Sequence, residues 1–148
     1  MDAKPRKITI SSADLVNDAK TRISNLSIEE VRHSLEHDNA LLIDIRDVRE
    51  RARLGTIPRA HHVARGLLEF WADPESHHYK EFFDDDRPII LYCAGGGRSA
   101  LAADVLQRMG YPMVAHLECG FDGWQQAGQP VEPVVSRTSS QPDQSGHN

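Results

Sequence analysis

Apolar positions in this chain follow two rhythms. Ala40-Leu41-Leu42-Ile43-Asp44-Ile45 and Pro88-Ile89-Ile90-Leu91-Tyr92 are unbroken apolar runs of strand length, the pattern of strands buried on both faces. Residues 23–26, the stretch around His61-His62-Val63 and Met113-Val114-Ala115-His116-Leu117 predict three more strands. Between them the spacing turns helical. Ser11-Ser12-Ala13-Asp14 opens a helix with Leu15, Val16, Ala19 and Ile23 at helical intervals. Ser27 and Glu30 form a capping box ahead of a helix whose apolar face carries Ile28, Val31 and Leu35. Ser99 is the predicted N-cap of a third helix with Ala100, Leu101, Ala102, Ala103, Val105, Leu106 and Met109 on a broad apolar face. Gly110 ends it and Pro112 forbids its continuation. Residues 46–53 read as a charged loop with a helical turn, 67–71 and 79–83 as helical turns, and 120–124 as a short helix closed by Gly128. Strands alternating with helices predict an α/β domain with a mainly parallel sheet. The domain spans residues 11–132. The first ten residues are expected to be flexible, and the polar, serine- and glutamine-rich tail over 133–148 disordered.

Composition narrows the function classes. The 148 residues suffice for one domain with its own core, and 17 basic against 22 acidic side chains give a mildly acidic chain. No basic stripe with interleaved aromatics is present, so no nucleic-acid partner is expected. No stretch approaches a membrane span, and the charged start has no apolar segment behind it. No membrane association is expected, and the cytoplasm is the simplest location. Asp84-Asp85-Asp86 reads as a solvated run. His33 and His37 stand four apart but off the Ile28/Val31/Leu35 face, with no third ligand evident, and the pairs His61-His62 and His77-His78 diverge on regular structure. No metal or cofactor is called for. Trp71 and Trp124 suit the edges of the core.

The chemistry gathers at Cys93. It ends the second apolar run and precedes Ala94-Gly95-Gly96-Gly97-Arg98-Ser99. Three consecutive glycines allow the backbone to turn several N–H groups inward, and the following helix contributes its unpaired first-turn amides and positive end. Arg98 adds a permanent charge. Each of these favours a negative sulfur, hence a nucleophilic thiolate. In an open α/β sheet such a residue, at the carboxyl end of a strand, occupies the usual place of a ligand site. A buried, inert cysteine is the competing structural reading. Two cysteines, Cys93 and Cys119, make neither a zinc knuckle nor a disulfide framework.

Four ordered motifs resemble the single-domain rhodanese-like sulfurtransferases. They are Asp44-Ile45-Arg46-Asp47, Gly55-Thr56-Ile57-Pro58-Arg59-Ala60, the loop from Cys93 to Ser99, and Gly120-Phe121-Asp122-Gly123-Trp124, within a match from about Ser24 to Val131. The resemblance implies a five-stranded, mainly parallel sheet flanked by helices. It implies Cys93 as the catalytic nucleophile that carries a sulfane sulfur as a persulfide. Ala94, Gly95, Gly96, Gly97, Arg98 and Ser99 would then bind that sulfur. The donor would be thiosulfate or a persulfide, and the acceptor a thiol or cyanide. Asp44 and Arg46 match residues that organise the fold near the site. Thr56 stands where the family has histidine, Arg59 where it has glycine, and Cys119 where it often has the first of two glycines. Cys119 is a candidate to pair with Cys93 as a resolving thiol, against the commoner inert thiol. Arg49, Arg51 and Arg53 are either a solvated basic face or an attraction for an anionic donor.

Two other readings compete. A cysteine phosphatase or arsenate reductase also sets cysteine in an anion loop ending in arginine, but with five residues between them. Here Ala94, Gly95, Gly96 and Gly97 make four, a smaller ring, and Tyr92 precedes the cysteine where a histidine is expected. A binding or redox-sensor module would keep the fold without turnover. The oligomeric state is left open, a homodimer included.

Overall fold

A computed structural model describes residues 4–135 of the chain. The two apolar runs become the centre of the sheet. Strands β2 (Leu41–Asp44) and β4 (Ile89–Tyr92) are buried along their length and lie side by side, Leu41 opposite Ile89 and Asp44 opposite Tyr92. β5 (Val114–Leu117) adds to the other edge of β4, β1 (Ser24–Leu26) to β5, and β3 (His61–His62) to β2. The order is β1-β5-β4-β2-β3, and every strand pairing is parallel. One antiparallel bridge outside the sheet, Thr56 to Glu132, ties the end of the domain to the turn before β3.

Strand alternation sorts the core into two layers. Leu41, Ile43, Leu91 and Cys93 face the layer that holds Ala102, Ala103 and Leu106 of α5 (Gly97–Met109) and Leu68 of α4 (Leu68–Trp71). Leu42, Ile90 and Tyr92 face Val31 and Leu35 of α2 (Ile28–His37) and Phe121 and Trp124 of α6 (Gly120–Gln126). α1 (Ser12–Lys20) packs on the outside of α5. There the expected apolar face of α5 is narrower than its composition suggests. Ala100, Ala102, Ala103 and Leu106 are its buried apolar residues, while Leu101 and Val105 are half-buried and Met109 is exposed. Ile23 lies beyond the end of α1, against the core.

Three helices begin with the same device, a side chain at the N-cap and an acid three residues on. Ser11 with Asp14, Ser27 with Glu30, and Asp47 with Glu50 each close both hydrogen bonds of a capping box. The last pair turns the expected charged loop over 46–53 into a full helix, α3 (Val48–Leu54). The turns expected near 67–71 and 79–83 are present as a 3-10 turn (Arg65–Leu67) leading into α4 and another at Glu81–Phe83. Residues 4–10 and 133–135 carry no helix or regular strand, and the remainder of the expected flexible start and disordered tail lies outside the described residues.

The topology determines where chemistry can sit. The chain leaves β4 through α5 toward β5, on one side, and leaves β2 through α3 toward β3, on the other. Their carboxyl ends therefore flank a switch point, where connections part and leave a crevice. Cys93 is the first residue beyond β4 there.

Candidate active site

Helix α5 starts three residues earlier than the sequence suggests. Its N-cap is Gly96, at φ 105, and Ser99 lies inside the first turn with its side chain fully buried. The reason is steric. A Cβ on Gly96 would lie 2.4 Å from the Glu118 carbonyl oxygen, so only glycine allows the turn to press against the end of β5 in this conformation. The turn aims two amides at the thiol: Gly96 N–H donates to Cys93 Sγ at 3.2 Å and Ser99 N–H at 3.4 Å. The amides of Ala94, Gly95, Gly97 and Arg98 make no hydrogen bond among the described residues. Cys93 itself is 1% exposed, at the floor of the loop, with Gly95 and Arg98 as its solvent-facing residues.

Behind the sulfur stands a chain of polar side chains that the motif does not announce. The Cys93 thiol donates to Ser99 Oγ at 3.5 Å, Ser99 Oγ lies 2.8 Å from His116 Nδ1, and His116 Nε2 lies 2.8 Å from Asn25 Oδ1. His116 is fully buried in β5, and burial lowers its pKa to about 4. A polar residue in the middle of the run Val114-Ala115-His116-Leu117 is the sequence signal for it.

Arg98 is not a free charge at the loop. Both its terminal nitrogens donate to the Glu50 carboxylate, at 2.8 and 2.9 Å, in a bidentate pair between the starts of α5 and α3. The bond to Arg98 is the main reason that the Glu50 pKa falls to about 2, and Glu50 in turn raises that of Arg98. Glu50 also accepts from the Asp47 amide. The capping box that starts α3 thus positions the acid that holds Arg98.

Asp44 and Arg46 lie on the other layer, beneath the switch point. Both are fully buried. Arg46 donates to both Asp44 oxygens, at 3.0 and 2.7 Å, and to the Gly55 carbonyl at 2.7 Å. Its guanidinium lies 4.1 Å from the Phe121 ring centroid, with Nη1 buried and without a partner among the described residues. Burial opposes its charge, but Asp44 outweighs that and raises its pKa. Asp44 also accepts from the Tyr92 hydroxyl at 2.9 Å and Arg51 Nε at 3.2 Å. Burial and the Asp44 charge push the Tyr92 phenol up. Arg51 is therefore engaged in the scaffold, while Arg49 and Arg53 are exposed. Thr56 shares a 3.1 Å contact with the Tyr92 hydroxyl and takes part in this network.

The remaining departures from the motifs have local reasons. Arg59 keeps the positive φ, 75, that its turn requires. Cys119 has φ −81, ordinary helical backbone at which no glycine is needed, whereas the next residue, Gly120, has φ 68 and would place a Cβ 2.2 Å from the Ala94 carbonyl oxygen. Through that contact α6 grips the loop: Phe121 N–H donates to the Cys93 carbonyl at 2.8 Å and Asp122 N–H to the Ala94 carbonyl at 3.0 Å. Both cysteines are free. Cys93 is buried toward α5, while Cys119 is exposed at the start of α6, with burial of its thiol raising its pKa. The His33 and His37 rings lie 4.5 Å apart, tilted by 41°, on the exposed face of α2, and no metal-binding cluster occurs among the described residues.

Comparison with known proteins bears on this arrangement. The family profile described as Rhodanese-like domain matches residues 27–127. The thiosulfate sulfurtransferase GlpE of Actinobacillus succinogenes is 29% identical over 109 residues, covering 74% of this chain and 90% of that protein. Among solved structures, a protein of unknown function from Rhodopseudomonas palustris, RPA3614, described as a possible tyrosine phosphatase, is 41% identical. It superposes with a TM-score of 0.82, covering 88% of this chain and all of that one. The polysulfide-sulfur transferase homodimer of Wolinella succinogenes is 25% identical with a TM-score of 0.63, over 86% of this chain and 90% of that one.

Proposed function

From a chain that belongs to the rhodanese-like domain family, we propose a sulfurtransferase that moves a sulfane sulfur from thiosulfate or a persulfide to a thiol or cyanide through a persulfide on Cys93. The observation that carries this reading is the loop itself. Two amides already bond the sulfur, and four more, from Ala94, Gly95, Gly97 and Arg98, have no partner among the described residues. An added terminal sulfur is an anion of the size such a ring accommodates, and the amides stabilise its charge without any metal or cofactor. Cys93 Sγ attacks the outer sulfur of the donor. The S–S bond of thiosulfate breaks, sulfite leaves with the electron pair, and Cys93 holds the persulfide. An acceptor thiolate or cyanide then takes the terminal sulfur and returns the Cys93 thiolate. The donor reaches the buried thiol through the exposed glycine segment at Gly95. A reducing cytoplasm suits a thiol that must stay unoxidised between turnovers.

Incubation with thiosulfate is expected to add the mass of one sulfur atom to the Cys93 peptide and to release sulfite, with Cys93→Ala losing both. Absence of the mass shift in folded wild-type protein would leave the binding-module reading in its place.

The description of the Rhodopseudomonas palustris relative raises a phosphatase as a second reading. Four residues between cysteine and arginine leave a ring small for a phosphoryl group. Arg98, which would bind that group, is held by Glu50. Turnover of a chromogenic phosphate ester, abolished by Cys93→Ser, would establish it over sulfur transfer.

A further inference from the structure

The side chains behind Cys93 form a hydrogen-bonded chain of defined polarity. Asn25 Nδ2 donates to the carbonyls of Lys20 and Ile23, at 3.0 and 3.4 Å, which turns Asn25 Oδ1 toward His116. An oxygen there can only accept, so His116 Nε2 carries the proton and Nδ1 is a bare acceptor. Ser99 has one proton and two acceptors within reach, the Gly96 carbonyl at 3.3 Å and His116 Nδ1 at 2.8 Å. The nearer basic nitrogen takes it. Ser99 Oγ then turns a lone pair to the Cys93 S–H. The S–H and O–H donors point from the sulfur toward the imidazole, and the imidazole N–H points on to Asn25.

We propose that His116 is a positioning residue for Cys93 that takes up the thiol proton through the Ser99 hydroxyl. The S–H bond breaks and its proton passes to Ser99 Oγ, while the proton already on Oγ passes to His116 Nδ1. A thiolate and an imidazolium result, with no change in net charge. The thiol is buried, at 1% exposure, and among the described residues this is the hydrogen-bonded path by which its S–H donates. The imidazolium then stands one hydroxyl away from a sulfur that remains negative as thiolate or persulfide. The charges around the pair leave this exchange to the chain itself. Lys20 of α1 and Glu118 after β5 act on His116 with opposite signs and pair with each other at 3.3 Å, and Arg98, whose charge is felt at Cys93, is paired with Glu50. Burial keeps the resting imidazole neutral near pH 7, with Nδ1 bare, and the same burial opposes the imidazolium, which the negative sulfur one hydroxyl away must offset.

The proposal rests on Cys93 as the nucleophile, but it is tested without sulfur transfer, by the rate at which iodoacetamide alkylates the Cys93 peptide. His116→Asn can offer Ser99 an amide oxygen near the position of Nδ1, an acceptor with no basicity. The expected result is a rate at pH 7 lower by about tenfold, a deficit that closes toward pH 10, where hydroxide removes the proton. Ser99→Ala should show the same deficit, and the double variant no more than either single one, because both act along one path. Unfolding would expose Cys93 and raise the rate, the opposite sign, so a failed fold cannot imitate the effect. A deficit equal at all pH values, an unchanged rate, or a faster rate in folded His116→Asn would overturn the proposal. If the pH-dependent deficit appears while thiosulfate yields no persulfide, the relay stands and the sulfurtransferase reading fails.

Discussion

At the scale of single residues, the pair Glu50–Arg98 governs what charge the loop shows to an anion. A bidentate pair half open to solvent is held by geometry more than by Coulomb energy, and it satisfies the guanidinium that would otherwise attract a donor. Glu50→Gln removes the negative partner and leaves Arg98 in place. KM for thiosulfate is expected to fall about threefold with kcat little changed, because steering acts on encounter and ground-state binding, not on the S–S exchange. Steady-state kinetics at low ionic strength measure this, and an unchanged or higher KM would show that Arg98 contributes nothing when released.

Among elements, the contact between α6 and the loop is set by two neighbouring residues with opposite requirements. Gly120 combines a positive φ with a backbone carbonyl in the space of its Cβ, and neither can yield without moving the Ala94 carbonyl. Gly120→Ala should therefore cost at least about 2 kcal/mol in urea denaturation, and it should reduce persulfide formation by more than the folded fraction alone explains. Cys119→Gly, one residue earlier at φ −81, is expected to change stability by less than about 1 kcal/mol. Equal effects of the two substitutions would mean that the loop is not held through this contact.

In the molecule as a whole, the buried histidine makes stability depend on pH. His116 titrates near 6.5 when unfolded and near 4 when folded, so between these values the unfolded chain binds the additional proton. Stability from this source is complete above about pH 6.5 and is lost as pH falls toward 4, amounting to about 3 kcal/mol by order of magnitude. Urea midpoints measured from pH 7 to pH 4 should decline in the wild type and decline less in His116→Asn. A flat wild-type profile would contradict the burial of a neutral imidazole. Burial is the main cause of its neutrality, and its hydrogen-bond partners come from separate parts of the chain, Asn25 on β1 and Ser99 on α5, so acid should loosen the β1 edge and the loop together.

Patterns local in the chain carried most of the architecture and the centre of the site. Five strands, the capping box of α2, the Gly110 stop of α5 and a cysteine at a strand end before three glycines are properties of adjacent residues, and adjacency survives folding. The same grammar at Asp47 and Glu50 was available to mark α3, but the density of charge over 46–53 hid it. Three-dimensional packing decided the rest. That Gly96 caps α5 instead of Ser99 depends on the Glu118 carbonyl, 22 residues away. That Arg98 is neutralised depends on Glu50, and that Ser99 is turned inward depends on His116 and Asn25, brought beside it by parallel strands distant in sequence. A sequence states which groups can donate or accept. Which of them are removed from water together, and so must satisfy one another, is decided only when the sheet closes.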